Sequence, residues 1–226
     1  MSDPFAVVDY MQNELRPSHW TDGRQYAMML IAPHGHKPER VVDVAGSYEI
    51  QTLPELNTDV MKFTDQYVIR SELSELILGS NCSQHVEKSL FEAILMHTGV
   101  RRVLDSGADV YIHSTHSPCA NASHRIASFE KGESQELFGN RVALTKSKQT
   151  FLAYDIIYNG GIEGNQENHS QNEYIIMKEN LATIPKEKHF YVSSVHEADE
   201  FWNEIQQSIK EKKQELKARL NDRKSF

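Results

Sequence analysis

The sequence predicts an α/β fold, in which helices pack against a mixed β-sheet. Apolar runs of strand length alternate along the chain with segments whose apolar residues recur at helical spacing. Near the C-terminus, a predicted helix at residues 174–182 separates predicted strands at residues 150–158 and 190–195. Because strand–helix–strand connections within one sheet form right-handed crossovers between parallel strands, we expect these last two strands to be parallel.

The apolar pattern and the chain-breaking residues give five strands and five helices. We expect Gly99 to close the helix that carries His85, and Gly132 to stop the following helix. Residues 131–149 are predicted to be a polar loop that holds a short element, and residues 71–78 a short helix or strand. The predicted strands are residues 25–32, 41–50, 109–114, 150–158 and 190–195. The predicted helices are residues 3–15, 85–99, 118–130, 174–182 and 197–220.

The chain length and the absence of repeats predict a single domain. The 226 residues are enough for one large domain with a well-formed core. We divide it into an N-terminal helical extension at residues 1–23, a core at 24–195 and a C-terminal helix at 196–226. Apolar residues make up 39% of the chain and charged residues 25%, which is ordinary for a globular protein.

Composition favours a reducing compartment and gives no sign of a membrane partner. No apolar run has the length of a membrane span. The first residues lack the basic and apolar segments of a signal peptide. Cys82 and Cys119 are the only cysteines, too few for a disulfide framework. We therefore expect a cytoplasmic protein, with the nucleus as a second possibility.

The net charge is acidic, with several local basic clusters. A formal charge of −8 disfavours tight, non-specific binding to nucleic acid, although a local basic groove is compatible with it. Three clusters could line such a groove, and each is also typical of a solvated surface. They are Arg101 with Arg102, His124 and Arg125 with Lys131, and Lys146 with Lys148.

Two short motifs carry the chemistry. His85 and Glu87 lie two residues apart at a predicted helix start, and Ser117-Pro118-Cys119 follows about thirty residues later, after a predicted strand. Pro118 suits a first helical position because its missing N–H costs nothing there. The positive end of that helix would favour a thiolate at Cys119.

These motifs match most of the zinc-deaminase signature H-x-E…P-C-x-x-C. The chain resembles the zinc-dependent cytidine deaminase superfamily, and most of all its AID/APOBEC branch, to which the Ser-Pro-Cys tripeptide points. The resemblance implies a three-layer α/β/α fold with a five-stranded mixed sheet. It also implies that Zn²⁺ is the cofactor, that His85 and Cys119 are zinc ligands, and that Glu87 is the catalytic acid/base.

The signature fails at one position, because Ala122 stands where the family has the second cysteine. A catalytic zinc uses three protein ligands and leaves a fourth position for water, and a methyl group cannot be a ligand. Three explanations stay open. A native cysteine was replaced by engineering, or a natural relative has lost catalysis, or a substitute ligand such as His124 or His116 serves instead. Cys82 is a further, weaker ligand candidate.

Four residues are candidates for contact with the substrate. His34 and His36 flank a glycine in a loop after a strand, and such loops can border the pocket in the deaminase fold. Ser117 precedes the Pro-Cys pair. Tyr154 lies in a strongly predicted strand and could stack on a base, although core packing is the more common role of such a tyrosine.

The resemblance implies conversion of cytosine to uracil, with a zinc-bound hydroxide attacking C4. The branch suggests a single-stranded DNA or RNA substrate, whereas the acidity of the chain tilts toward a free nucleotide or modest affinity. The alternatives are a catalytically inactive module that binds nucleic acid or a nucleotide, a free (deoxy)cytidine or nucleotide deaminase, and a bacterial deaminase toxin.

Overall fold

A computed structural model describes residues 3–16, 26–36, 49–72, 86–116, 118–156, 176–185 and 188–191, together with the single residues 207, 210, 211 and 214. Nine strands lie in this part of the chain. They are β1 (Tyr26–Pro33), β2 (Glu49–Leu53), β3 (Thr58–Phe63), β4 (Gln66–Glu72), β5 (Ala108–His116), β6 (Ser134–Leu137), β7 (Asn140–Ala143), β8 (Gln149–Ile156) and β9 (His189–Tyr191).

The helices of the described residues flank these strands. Four are α-helices: α1 (Pro4–Tyr10), α2 (Val86–Met96), α3 (Thr98–Asp105) and α4 (Ala120–Lys131). A π-helical turn, Met11–Leu15, continues α1, and a 3₁₀ turn, Pro54–Leu56, joins β2 to β3. Residues 176–181 are also helical.

Seven of the described strands form one mixed sheet in the order β2-β3-β4-β1-β5-β8-β9. The pairs from β2 to β5 are all antiparallel. β8 runs parallel to β5, and β9 runs parallel to β8. The α/β class and the parallel pairing of the last two predicted strands are therefore confirmed.

The two faces of the sheet carry separate apolar cores. On one face, Met29, Ile112 and Leu152 pack against α2, α3, α4 and the helical residues near Leu181. On the other face, Met28 and residues from β5 and β8 pack against α1 and its π-helical turn. Burial on both faces explains why β1 reads as a continuous apolar run rather than an alternating one.

The predicted count of five strands is wrong, because seven strands form the main sheet of the described residues. β3 and β4 were missed because their connection, Thr64-Asp65, lacks the Asn-Gly or Asp-Gly signal of a tight hairpin, although Thr64 adopts a φ of 51°. The predicted loop at 131–149 holds the hairpin β6–β7 as a small second sheet. Its turn, Phe138-Gly139, has positive φ at both residues, as a type I′ turn requires.

Gly99 does not close the helix that follows His85. α2 ends at Met96, and α3 begins directly afterwards with Gly99 in its first turn. His97 separates the two helices and caps α3, because its Nδ1 accepts a hydrogen bond of 3.2 Å from the Val100 amide. By contrast, Gly132 ends α4 in the left-handed conformation at φ 71°, as predicted.

Several predictions fall on residues that the structure does not describe. These include most of the predicted C-terminal helix at 197–220, most of the predicted strand at 41–50, and Asn81 and Ser83, either of which can cap the helix that carries His85. None of the described helices is long and apolar enough to cross a membrane.

Candidate active site

Glu87 is a buried carboxyl group in the first turn of α2, with 1% of the residue exposed. Ser114, near the C-terminal end of β5, is equally buried and donates a hydrogen bond from its hydroxyl to Glu87 Oε1 at 3.2 Å. Glu87 Oε2 is also buried, and no described residue gives it a hydrogen-bond partner. A buried oxygen without a partner is costly, and such an atom in a folded protein calls for an explanation.

Burial raises the pKa of Glu87 above its ordinary value, because the charged carboxylate loses its hydration. The hydrogen bonds from its own backbone N–H and from Ser114 oppose that change but do not cancel it. A carboxyl group with a raised pKa can hold a proton closer to neutral pH. This is the property that a general acid/base needs.

Cys119 lies at the start of α4, where it is the N-cap. Its Sγ accepts a hydrogen bond from the Ala122 amide at 3.5 Å, and its carbonyl accepts one from the Ser123 amide at 2.8 Å. Pro118 is buried but precedes the N-cap, so the prediction that it takes the first helical position is wrong; Ala120 takes that position. The sulfur therefore faces the positive end of the helix dipole, where a thiolate is favoured.

Both helix starts lie at the edge of the sheet where β5 ends. The hydrogen bond to Ser114 ties the first turn of α2 to this edge, and Cys119 follows the end of β5 by three residues. The two helices pack together further along, where the Phe91 and Phe129 rings lie 5.3 Å apart between centroids. Glu87 and Cys119 thus belong to one end of the molecule, which we call the Glu87 edge.

Asn180 is a further anchor of the first turn of α4, and no local sequence pattern predicts it. Asn180 Nδ2 donates to the Ala120 carbonyl at 3.2 Å and to Ser123 Oγ at 3.1 Å. The Ser123 hydroxyl itself donates to the Ala120 carbonyl at 2.8 Å. These bonds hold the turn that carries Cys119 and Ala122.

Ala122 is fully buried, with 0% of the residue exposed. It stands three residues after Cys119, so the two side chains lie on the same face of the helix start. No group of three or more His, Cys, Asp or Glu residues that could hold a metal ion occurs among the described residues. His85, Cys82 and Ser117 lie outside them, as does the side chain of His116.

His124 is exposed on α4, two residues beyond the buried Ala122. At about 100° per residue, it faces about 200° around the helix from Ala122. A substitute ligand must lie on the same side as Cys119 and Ala122. His124 therefore does not fit this role.

Tyr154 is next to the site but is part of the core. It pairs with Ser114 across the parallel strands β5 and β8, so both side chains point to the same face of the sheet. Only 1% of the residue is exposed, and it belongs to the apolar cluster beneath α2 and α4. The predicted stacking of Tyr154 on a base is not supported, because the buried ring has no open face.

His34 and His36 lie at the opposite edge of the sheet. β1 is antiparallel to β5, and Pro33 pairs with Ala108 at the start of β5. At about 3.3 Å per residue, this point is about 20 Å along the strand from Ser114. His34 Nδ1 lies 2.8 Å from Asp109 Oδ1, and His36 Nδ1 lies 3.3 Å from Asp65 Oδ2. The structure therefore does not bring either histidine to Glu87.

The basic clusters also lie away from Glu87 or are buried. Arg125 is only 9% exposed, because its guanidinium donates to Asn121 Oδ1 at 2.9 Å and to the Glu136 carbonyl. It is a structural link between α4 and β6, and the prediction that it lines a groove is wrong. Lys148 is exposed but packs beside Gly107 at the start of β5, at the edge opposite Glu87.

The chain matches no family model, and comparison with curated proteins gives no match either.

Proposed function

We propose that this chain is built on the active-site plan of a zinc-dependent cytidine deaminase that acts on cytosine in single-stranded DNA or RNA. The observation that carries the proposal is Glu87: it is buried, its pKa is raised, and one of its oxygens has no partner among the described residues. Together with Cys119 at the neighbouring helix start, this supports the role of a proton-transferring carboxyl group beside a metal-binding thiolate.

The residues present do not complete the zinc site that this chemistry requires. Cys119 offers one sulfur, and His85 would offer one imidazole. The buried methyl group of Ala122 occupies the third position. A catalytic zinc needs three protein ligands, so we expect weak zinc binding by the chain as it stands. We therefore assign proton transfer to Glu87, and we assign no metal-dependent step to the chain that carries Ala122.

Ala122 favours a second candidate, a binding module without turnover. A site that keeps the buried acid and the helix starts but lacks one ligand can still hold a base or a nucleotide. In that case the unpartnered Glu87 oxygen would bind a polar atom of the ligand rather than assist a reaction.

The zinc content of the chain, compared with that of an Ala122→Cys variant, tests the proposal. We expect the variant to purify with about one zinc per chain and the parent with much less. Ala122→Ser is the matched control, because it adds a polar group of similar size that is not a usual zinc ligand. The variant should also convert cytosine to uracil in a single-stranded oligonucleotide, as measured by mass spectrometry.

Three outcomes separate the candidates. Full zinc occupancy in the parent would mean that another ligand replaces residue 122. Zinc binding by the variant without deamination of oligonucleotides or free cytidine would overturn the enzyme proposal. Oligonucleotide binding by the parent, weakened by Glu87→Gln, would then support the binding module.

A further inference from the structure

The hydroxyl of Ser114 is a polar group in an apolar neighbourhood. Ser114 follows Val110 and Ile112 on the inner face of β5, and both of those residues belong to the apolar core. Ser114 is 1% exposed. Burying a hydroxyl costs free energy unless it is hydrogen-bonded, and Glu87 Oε1, at 3.2 Å, is the acceptor.

The bond from Ser114 makes the two oxygens of Glu87 different. A serine hydroxyl has one proton to donate, so it can hold only one of the two carboxyl oxygens at a time. Oε1 accepts that proton, whereas Oε2 is buried and has no partner among the described residues. The bond also restrains the last torsion of the Glu87 side chain, which is otherwise broad.

Asp109, on the same strand, shows what a carboxyl group with a purely structural role looks like. Its Oδ1 pairs with His34 Nδ1 at 2.8 Å, and its Oδ2 accepts the Gly35 amide at 3.4 Å. Both oxygens are used to hold the loop after β1. By contrast, Glu87 uses Oε1 to accept the Ser114 hydroxyl, and its Oε2 has no partner among the described residues.

We propose that Ser114 is a positioning residue that anchors Glu87 Oε1 and thereby presents Oε2 to the bound base. This inference rests on the proposed function for the identity of the ligand. The fixed orientation of Glu87 itself does not depend on it. A polar group of the base that meets Oε2 would satisfy the Glu87 oxygen that has no partner among the described residues.

Crystal structures of the parent and of Ser114→Ala test the orientation without any need for activity. We expect one carboxyl orientation of Glu87 in the parent, with Ser114 in hydrogen-bond contact, and a rotated or mixed orientation in Ser114→Ala. Ser114→Thr keeps the hydroxyl and should retain the parent orientation. An unchanged, single orientation of Glu87 in Ser114→Ala would overturn the proposal.

Kinetics in the Ala122→Cys background test the consequence. We expect Ser114→Ala to lower kcat by roughly 10- to 100-fold, as loss of an orienting partner does elsewhere, with KM changed by less than about threefold. Ser114→Thr should recover most of the kcat. Ser128→Ala, which removes a buried hydroxyl in the second half of α4, is the control and should leave kcat unchanged.

The two tests fail independently of the proposed function. If Ala122→Cys alone shows no deamination, the proposed function is wrong, and the crystal structures still decide whether Ser114 orients Glu87. If Ala122→Cys is active and Ser114→Ala has the same kcat, the proposed function survives and Ser114 is only a core residue.

Discussion

An acidic side chain lies at each end of β5, and the two differ in their hydrogen bonds: Glu87 belongs to α2, and Asp109 belongs to β5 itself. At the C-terminal end, Ser114 contacts Glu87, which is buried and has one oxygen without a partner among the described residues. At the N-terminal end, Asp109 has both oxygens paired with His34 and Gly35, next to an exposed loop. Both groups lie beside the same strand, but the protein uses both oxygens of Asp109 and, among the described residues outside Glu87 itself, only Oε1 of Glu87.

The comparison teaches that a motif of titratable residues is weak evidence until its hydrogen bonds are counted. The edge opposite Glu87 carries several side chains that could bind a metal or act as a base, namely His34, His36 and Asp109. Yet the carboxyl group there is saturated and fixes a loop. Glu87 has one buried oxygen without a partner among the described residues, and burial raises its pKa; perturbed pKa values of this kind cluster at functional sites.

The largest expected contrast is in catalysis. In the Ala122→Cys background, Glu87→Gln should lower kcat/KM for deamination of a cytosine-containing oligonucleotide by about 10²- to 10⁴-fold, because it removes the group that transfers protons. Zinc content should not change. Asp109→Asn should stay within about twofold of its background, since Asp109 lies at the other edge. Equal losses in both variants would break the distinction between the two edges.

The next contrast is in stability at the edge opposite Glu87. A methyl group added at Gly99 would overlap the Tyr67 hydroxyl, and that ring is held against His97 at 5.2 Å between centroids. Gly99→Ala should therefore reduce the free energy of unfolding by about 1–3 kcal/mol, as overpacking does. Urea unfolding measures this loss. When Gly99→Ala is made in a Tyr67→Phe background, which lacks the hydroxyl, it should cost less free energy of unfolding than in the parent. An equal cost in both backgrounds would point to another cause.

The dependence of stability on pH sharpens the comparison further. Burial is the main cause that lowers the pKa of His97 from 6.5, the nearby Lys62 charge lowers it further, and hydrogen bonding of the ring to its own backbone opposes both. Only the neutral ring can accept the Val100 amide. The unfolded chain therefore binds more protons than the folded chain below about pH 6.5, so stability falls as the pH drops through that range.

His97→Asn should remove this part of the pH dependence, because asparagine caps a helix without titrating. Between pH 8 and pH 5.5, the free energy of unfolding should fall more in the parent than in the variant. We expect this extra loss to be under about 1 kcal/mol, as measured by urea unfolding. The same acid sensitivity in both proteins would show that His97 is not the titrating cap.

The smallest effect is expected at His34. Its ring is about half exposed and pairs with Asp109, and exposed pairs of this kind contribute about 0.5 kcal/mol or less. His34→Gln should lower stability by no more than that amount and should leave deamination by the Ala122→Cys background unchanged. A loss of activity would place the substrate at this edge after all.

The sequence predicted the central strands, which are buried on both faces of the sheet. β1, β5 and β8 are buried on both faces, so their composition alone marks them. β3 and β4 mix apolar residues with polar ones such as Asp59 and Lys62, and the turn between the two strands contains no glycine. No local signal therefore distinguishes them from a loop. Their place in the sheet is decided by pairing with β1, which depends on tertiary structure.

Only those residues of the candidate site that belong to the two spaced motifs could be predicted from the sequence. Glu87 and Cys119 stand at helix starts in a recognisable order, so the motif could find them. Asn180 could not be found in this way, because its bonds to Ala120 and Ser123 join segments about sixty residues apart. Ser114 left a faint signal, a polar residue at an inward-facing strand position. The failure for His34 has the reverse cause: a suggestive local composition lay on the wrong end of an antiparallel pair.

The mixed direction of the sheet has a consequence for how the protein reaches its native state. β2, β3 and β4 are joined by short connections and can pair early, since closing a short loop is fast and costs little entropy. β8 reaches β5 only after α4 and the hairpin β6–β7 have been traversed, and such long-range parallel pairing is slow. Ser114 and Tyr154 pair with each other in this late-forming contact between β5 and β8. We therefore expect the contacts around Glu87 to be completed near the end of folding, well after the antiparallel half has become protected from hydrogen exchange.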